Sequence, residues 1–432
     1  MIQKLGNLFK SDLIKVSSKT GIATFIKLAA GFIVSKILAI FVGPSGLAYL
    51  GQLSNFGNIF QALSSGGIGI GVTKYIAEYH EDEKTQLQII SNSIKVTLIC
   101  SLVCTAIVSL CYKYLGTYLF KTDIYNSIVL VFGLTLILFS FNSLISTIIN
   151  GFKNFKLYVV INLTTSIISL FSTVIFVYYL GVYGALLSFV LIPSMVFFIS
   201  LWMVRKYGWF NIKILKIPFD KSILKKLGAF SLMAINNAVV GAIAQLAIRS
   251  LISKNMDMNT AGIWDGMNRL SAAYLLLITT SIQVYYLPTL SAIKEKKLLW
   301  KEIIKTEKII IPITIFMFLI IFLFRGIIIE ILFTKEFYLM KSVFAYQLLG
   351  DLIKIGAWII SYTMYAKAMT KQLILSDTIF TFIYVLTSYI MMNLFGYGLN
   401  SVYYAFILNN VLYFMFIYFF MKKYISDVRP QT

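Results

Sequence analysis

Charge is what this sequence has least of. Asp, Glu, Lys and Arg make up 13% of its 432 residues, while 59% are hydrophobic and the mean hydropathy is +0.84. Soluble domains carry roughly 45–50% apolar and about 25% charged residues. A water-soluble fold of this length is therefore excluded, and the apolar excess must face lipid. Acidic residues are scarcer than basic ones, 17 against 38, for a formal net charge of +21. That excess lies mostly between apolar runs and not on a basic domain face, which argues against a nucleic-acid partner. There is one histidine, His80, in an acidic stretch with Glu78, Glu81, Asp82 and Glu83, where a solvated inner loop is expected. The three cysteines, Cys100, Cys104 and Cys111, form no CxxC pair and have no histidine nearby. They read as small packing residues and not as a metal or disulfide site. No GxxxxGK[ST] loop, DxD sequence, nucleophile elbow or catalytic carboxylate pair is found. An ATP-driven motor, a metal-dependent sugar transferase and a hydrolase are all disfavoured, so no enzyme and no cofactor are expected.

What is present is a series of long apolar runs. A membrane span needs about 20 mostly apolar residues. Twelve segments qualify: 20–42, 47–76, 88–111, 125–150, 157–180, 184–204, 226–251, 260–287, 307–324, 338–366, 373–395 and 399–421. Turns rich in Gly and Pro join some of them, at Gly43-Pro44-Ser45-Gly46, Gly181-Val182-Tyr183-Gly184 and Gly396-Tyr397-Gly398. With the N-terminus inside, 25 of the 38 Lys and Arg fall on inner segments and six on outer ones. The positive-inside rule then puts both termini in the cytoplasm of a multi-pass inner-membrane protein. The first 19 residues hold Lys4, Lys10, Lys15 and Lys19 without an apolar run before a small-residue cleavage site, so no cleaved signal is expected.

A repeat runs at an offset near 215. Lys156 pairs with Lys371, Asn162 with Asp377 and Gly181 with Gly396, and Arg205-Lys206-Tyr207 pairs with Lys422-Lys423-Tyr424 at offset 217. The expected architecture is all-α, with about 12 spans. Residues 1–204 form a six-helix lobe, 205–225 a basic cytoplasmic linker, and 226–432 a second six-helix lobe of the same orientation. Substrate would pass between the halves near the midplane.

Ionisable groups inside the spans are costly and mark function or pairing. Seven cations lie there, Lys27, Lys36, Lys74, Lys95, Arg249, Arg269 and Lys354, against three carboxylates, Asp265, Asp351 and Asp377. Asp265–Arg269 and Asp351–Lys354 have helical i,i+4 and i,i+3 spacing, which predicts two structural ion pairs. Lys74 and Lys95 are placed to snorkel to the inner interface, and Arg249 to the outer one. Lys27 and Lys36 have no acidic neighbour in the first span. The surplus of cations favours an anionic substrate, for which Lys and Arg suit phosphate or pyrophosphate. Lys27, Lys36, Lys74, Arg249 and Arg269 are the candidate anion ligands, and Gln52, Asn55 and Asn58 in the second span are candidate sugar contacts. Asp265, Asp351, Lys354 and Asp377 are candidates for ion coupling or interhelical pairing, with Asp377 preferred for a proton or sodium ion because Lys354 could neutralise Asp351. Glycines 66, 67, 69 and 71 suggest close packing or a bend.

Several stretches in order carry a family resemblance: KILAIFVGPSG (36–46), GVTKYIAEYH (71–80), GIW (262–264) with YYLPTLS (285–291), and AYQLLGDLIKIGAWIISYTMYAKA (345–368). In them the chain resembles the Wzx-type flippases of bacterial polysaccharide assembly, a branch of the MOP exporter superfamily. The resemblance implies two six-helix lobes around a central cavity, as in MATE transporters and lipid II flippases, and alternating access. It implies an undecaprenyl-pyrophosphate-linked oligosaccharide, such as an O-antigen repeat, moved from the cytoplasmic to the periplasmic leaflet. Membrane lipid, a glycan polymerase and a chain-length regulator are the implied partners. The match carries Lys36, Lys74, Asp351, Lys354 and Lys367 with it. Some multidrug relatives bind the driving cation with a first-span carboxylate, where this chain has Lys27 and Lys36. The alternatives are a cation-coupled drug antiporter on the same fold, a membrane polymerase or glycosyltransferase, and a non-transporting scaffold for glycan enzymes.

Overall fold

The computed structural model describes residues 29–209, 214, 216–293, 295–367 and 369–426, so Lys27 lies outside the described residues. Among the described residues every regular element is a helix and no strand occurs. This is the outcome lipid demands, since a helix satisfies its own backbone groups. The elements are α1 (Ala29–Phe41), α2 (Gly43–Ser64), α3 (Gly69–Glu78), α4 (Glu83–Leu110), α5 (Tyr112–Phe120), α6 (Asn126–Gly151) and α7 (Phe155–Val204). After them come α8 (Lys221–Asn255), α9 (Met258–Ala292), α10 (Lys296–Leu323), α11 (Arg325–Leu332), α12 (Met340–Ala366), α13 (Thr370–Asn393) and α14 (Asn400–Ser426).

Eight of these helices are long and apolar enough to cross a membrane. One of the eight is two spans. Helix α7 has 50 residues, about 75 Å at 1.5 Å per residue against a hydrocarbon core of ≈ 30 Å. Gly181 breaks it with φ 55 and ψ −130, a region open to glycine and costly for a residue with a Cβ. The two halves return on each other. Asn154 caps the first by accepting from the Leu157 amide at 3.2 Å, and its amide donates to the Tyr207 hydroxyl at 3.0 Å past the end of the second. Gly396, the repeat partner of Gly181, also has positive φ (66°) and lies between α13 and α14. Helix α2 is 22 residues long, and Gln52, Ser54, Asn55 and Asn58 lower its hydropathy. The exposed stripe Ile309, Ile313, Phe316, Ile320 and Leu323 on α10 alternates steps of four and three, a single lipid-facing helix face.

Local chemistry sets the helix ends. Asp82 accepts from the Thr85 amide at 3.0 Å and hydroxyl at 2.6 Å and so opens α4. These hydrogen bonds to the charged form hold its carboxyl below the usual carboxylate range. His80 is exposed in the loop before it, as expected. Cys104 is buried in α4, but Cys111 sits exposed at the break before α5, so the three thiols are not one buried stripe.

By contacts the chain divides into two compact units. The first holds the described residues up to Val42 together with Gln52–Ala242, and the second holds Gly43–Gly51 and Ile243 onward. In the first unit, the described part of the basic 205–225 segment is packed down and not free. Ile214 and Ile223 are buried with Ile68, Val72, Ile90 and Leu144, and Trp209 and Ile217 pack against them. The Lys95 ammonium donates to the Ile217 carbonyl, and the Asp220 amide donates to Asn92 at 3.1 Å. In the second unit, the start of α2 is pressed on α9: a Cβ at Gly262 would lie 1.6 Å from the Pro44 carbonyl oxygen. Only glycine allows that approach.

Candidate functional site

The second unit holds two buried polar clusters. In the first, Arg249 on α8 meets Asp265 on α9 edge-on. Its Nε donates to Oδ2 at 2.6 Å and its Nη2 to Oδ1 at 2.5 Å. The guanidinium lies 5.6 Å from the Trp264 ring centroid, and Arg249 is 1% exposed. Gly51 on α2 completes the enclosure, because a Cβ there would come within 2.6 Å of both the Arg249 Nη2 and an Asp265 oxygen. A bidentate guanidinium–carboxylate pair supplies the charge-assisted bonds that a buried carboxylate needs.

Two expectations are corrected here. The carboxylate expected to pair with Arg269 is taken by Arg249, and Arg249 is an internal partner and not a residue snorkelling to the outer interface. Arg269, one helical turn beyond Asp265, is half-buried and feels the charges of both Asp265 and Arg249. Two guanidiniums against one carboxylate leave this cluster with a net charge of +1.

The second cluster surrounds Asp351 on α12, which is fully buried. Its Oδ2 accepts from the Ser271 hydroxyl (2.6 Å), the Tyr274 hydroxyl (2.5 Å) and the Gln347 amide (3.0 Å). Its Oδ1 is buried with no hydrogen-bond partner among the described residues. The expected Asp351–Lys354 pair is not formed. The Lys354 ammonium lies instead over the Trp358 ring at 5.3 Å and near the Phe406 ring at 5.8 Å. Lys354 points away because aromatic faces stabilise its charge where water is scarce. Asp377 on α13 is half-buried, with the Tyr413 hydroxyl 3.5 Å away. Among the described residues no group of three or more His, Cys, Asp or Glu side chains is arranged to hold a metal.

In the first unit, Lys36 is half-buried on α1. On α2 Gln52 is buried with its carbonyl oxygen lacking a partner among the described residues, Asn55 is half-buried, and Asn58 is exposed. Lys74 is exposed in the middle of α3. It lies 4.0 Å from Glu78, 4.9 Å from the Tyr75 ring centroid and 5.2 Å from that of Phe230. Its neighbour Lys226 is 152 residues away in the chain, and no local spacing signals the meeting. Lys226 donates to the Tyr79 hydroxyl at 2.9 Å and sits 6.0 Å from the same Tyr75 ring. Two ammonium groups and two tyrosines thus meet between α3 and α8. Lys367 donates to the Ile293 carbonyl at 2.5 Å, closing the end of α9.

Comparison with known proteins bears on what these sites serve. Residues 23–342 match the family model described as polysaccharide biosynthesis protein. The chain is 31% identical over 367 residues to the lipid III flippases of Escherichia coli (strain K12) and of Shigella flexneri, covering 85% of this chain and 88% of each relative. Among solved structures it is similar to an inward-facing multidrug resistance MATE family transporter of the MOP superfamily. That alignment has a TM-score of 0.80 and 16% identity and covers 95% of this chain and 96% of the other. An outward-facing structure of the same description aligns over the same shares at 0.72 and 16%. The all-helical fold is therefore that of these MATE transporters.

Proposed function

Because the chain belongs to the polysaccharide biosynthesis protein family, we propose that it is a flippase for a lipid-linked oligosaccharide. The substrate is an undecaprenyl-pyrophosphate-linked glycan repeat, and it moves from the cytoplasmic to the periplasmic leaflet of a bacterial inner membrane, with both chain termini in the cytoplasm. The six-helix lobes 1–204 and 226–432, joined through 205–225, change access from one side to the other. The protein carries out transport and no covalent chemistry. A glycan polymerase and a chain-length regulator receive its product.

The net positive charge of the Arg249–Asp265–Arg269 cluster, with the half-buried Arg269 as its unmatched cation, carries this reading. A cationic surplus within a span suits a pyrophosphate and repels the cationic drugs that an antiporter would carry. Arg249 is committed to Asp265, so Arg269 is assigned to the anionic headgroup; Lys27, and Lys36 and Lys74 of the first unit, are each kept as candidate anion ligands in their own right. Gln52, with its unmatched oxygen, and Asn55 and Asn58 are assigned to sugar hydroxyls, which must not be left dry in hydrocarbon. The potential helps: an anion leaving a negative interior gains about 2.3 kcal/mol per charge per 100 mV.

Asp377 remains a coupling candidate, and we infer that Asp351 is the stronger one. The objection to it was neutralisation by Lys354, and the Lys354 ammonium lies on aromatic rings. A carboxylate with three neutral donors on one oxygen leaves its second oxygen open to a coupling cation.

The binding assignment is tested by complementation of a flippase-null strain at native expression. Lys36→Ala and Arg269→Ala should each lose nearly all complementation while the protein still inserts and stays monodisperse in detergent. Full complementation by both would remove the anion-site assignment.

A further inference from the structure

The first unit carries a cationic cavity unrelated to the clusters above. It lies where the two halves of α7 end side by side, and its volume is ≈ 310 Å³, at the small end of ligand-sized cavities (about 300–1,000 Å³). Lys156 stands on the first turn of α7, and Arg205 and Lys206 follow its last turn. Asn154 and Tyr207, hydrogen-bonded to each other, form the back wall. None of the lining residues is acidic. Three cations therefore share one lining without a carboxylate to offset them, which favours a bound anion.

One wall is apolar. Leu157, Val160 and Met203 continue the lining along the helices. Trp202 is 59% exposed, and the Arg205 guanidinium lies 5.1 Å from its ring centroid. An exposed Trp sharing a cavity with a Tyr, here Tyr207, is the mark of the headgroup level of a membrane. A free phosphate would use only the cationic half of such a cavity. A lipid would use both halves, with its phosphate among Lys156, Arg205 and Lys206 and its acyl chains along Val160 and Trp202.

We propose that this cavity, between the two ends of the α7 hairpin, is a binding site for an anionic glycerophospholipid of the cytoplasmic leaflet. The leaflet rests on the inside placement of these basic residues given above; the binding chemistry does not. Each basic residue near a membrane surface contributes roughly a fivefold preference for anionic lipid, so three contribute on the order of 100-fold. A bound lipid would also tie together the two helix ends that Asn154 and Tyr207 join, anchoring the hairpin against neighbouring helices that move.

The test uses the purified full-length chain in detergent and native mass spectrometry, with phosphatidylglycerol and phosphatidylcholine added in equal amounts. The wild type should retain one phosphatidylglycerol in strong preference to phosphatidylcholine. The variant K156Q/R205Q/K206Q should lose that preference, while K296Q/K297Q/K301Q, which removes three basic residues elsewhere, should keep it. All six positions lie outside the buried clusters, and matching melting profiles would show that the variants are folded. A photoactivatable phosphatidylglycerol on the wild type gives a reading that needs no variant: cross-links should map to 154–160 and 202–207. Equal retention of both lipids, unchanged preference in the triple variant, or cross-links elsewhere would overturn the proposal. Displacement by inorganic phosphate at comparable concentration would assign the cavity to a soluble anion, and preferential displacement by undecaprenyl pyrophosphate would assign it to substrate capture. Either result would also overturn it. Loss of flipping without loss of lipid preference would bear on the transport reading alone.

Discussion

Replacing Arg249 with Ala should cost about 3–5 kcal/mol of stability, because it leaves the Asp265 carboxylate buried and uncompensated. Asp265 is 4% exposed, and both of its oxygens are held by the Arg249 guanidinium. Gly51 packs against the pair so closely that no side chain fits between, so water cannot readily replace the lost partner. Asp265→Ala should be similarly damaging, since it strands the guanidinium. The double variant Arg249→Met with Asp265→Leu removes both charges and keeps much of the volume. Apolar replacement of a buried pair is often neutral or stabilising, so the melting temperature should return close to the wild-type value. Flipping should return with it, because the anion is assigned to Arg269. Thermal melts by size-exclusion fluorescence, paired with complementation, check both halves. A stable double variant that cannot flip would move Arg249 back among the substrate ligands.

The second large effect is expected at Asp351. Asp351→Asn keeps an oxygen to accept from Ser271 and Tyr274, so the variant should fold. It has no carboxylate charge with which to hold a coupling cation. One coupled charge moving through 100 mV is worth about 2.3 kcal/mol, or ~50-fold in the equilibrium distribution. In proteoliposomes with an imposed proton or sodium gradient, the wild type should respond by tens of fold, and Asp351→Asn should not respond. Asp377→Asn should behave as wild type. The reverse pattern would restore the coupling role to Asp377.

The sequence predicted well whatever depends on neighbours along the chain. The turn at Gly181 and the polar face of α2 follow from composition and spacing, whereas the run 47–76, read as one span, is two helices, α2 and α3, parted where Gly66 and Gly67 take positive φ. What the sequence could not supply were partners brought together by folding. Local spacing offered Arg269 to Asp265 and Lys354 to Asp351, both one turn away. The structure gives Asp265 to Arg249, 16 residues distant, because a guanidinium on a facing helix can present two donors edge-on. Asp351 takes donors from Ser271 and Tyr274 on α9, while aromatic rings hold Lys354. No periodicity encodes those meetings, nor that of Lys226 with the tyrosines beside Lys74. The 205–225 segment reads as a solvated basic linker by charge, yet its few apolar residues, Trp209, Ile214 and Ile217, are enough to dock it.

A chain that moves a complete lipid-linked glycan across the membrane sets the leaflet in which that glycan is found. The most direct measurement is the leaflet distribution of undecaprenyl-linked oligosaccharide in a deletion strain, read by a membrane-impermeant glycan-cleaving enzyme applied to spheroplasts and to inverted vesicles. Complete repeats should accumulate where only inverted vesicles expose them, on the cytoplasmic side, and the wild-type gene should return them to the periplasmic side. Normal delivery to the periplasmic leaflet in the deletion strain, with increased drug sensitivity in its place, would contradict the account and favour an antiporter on the same fold.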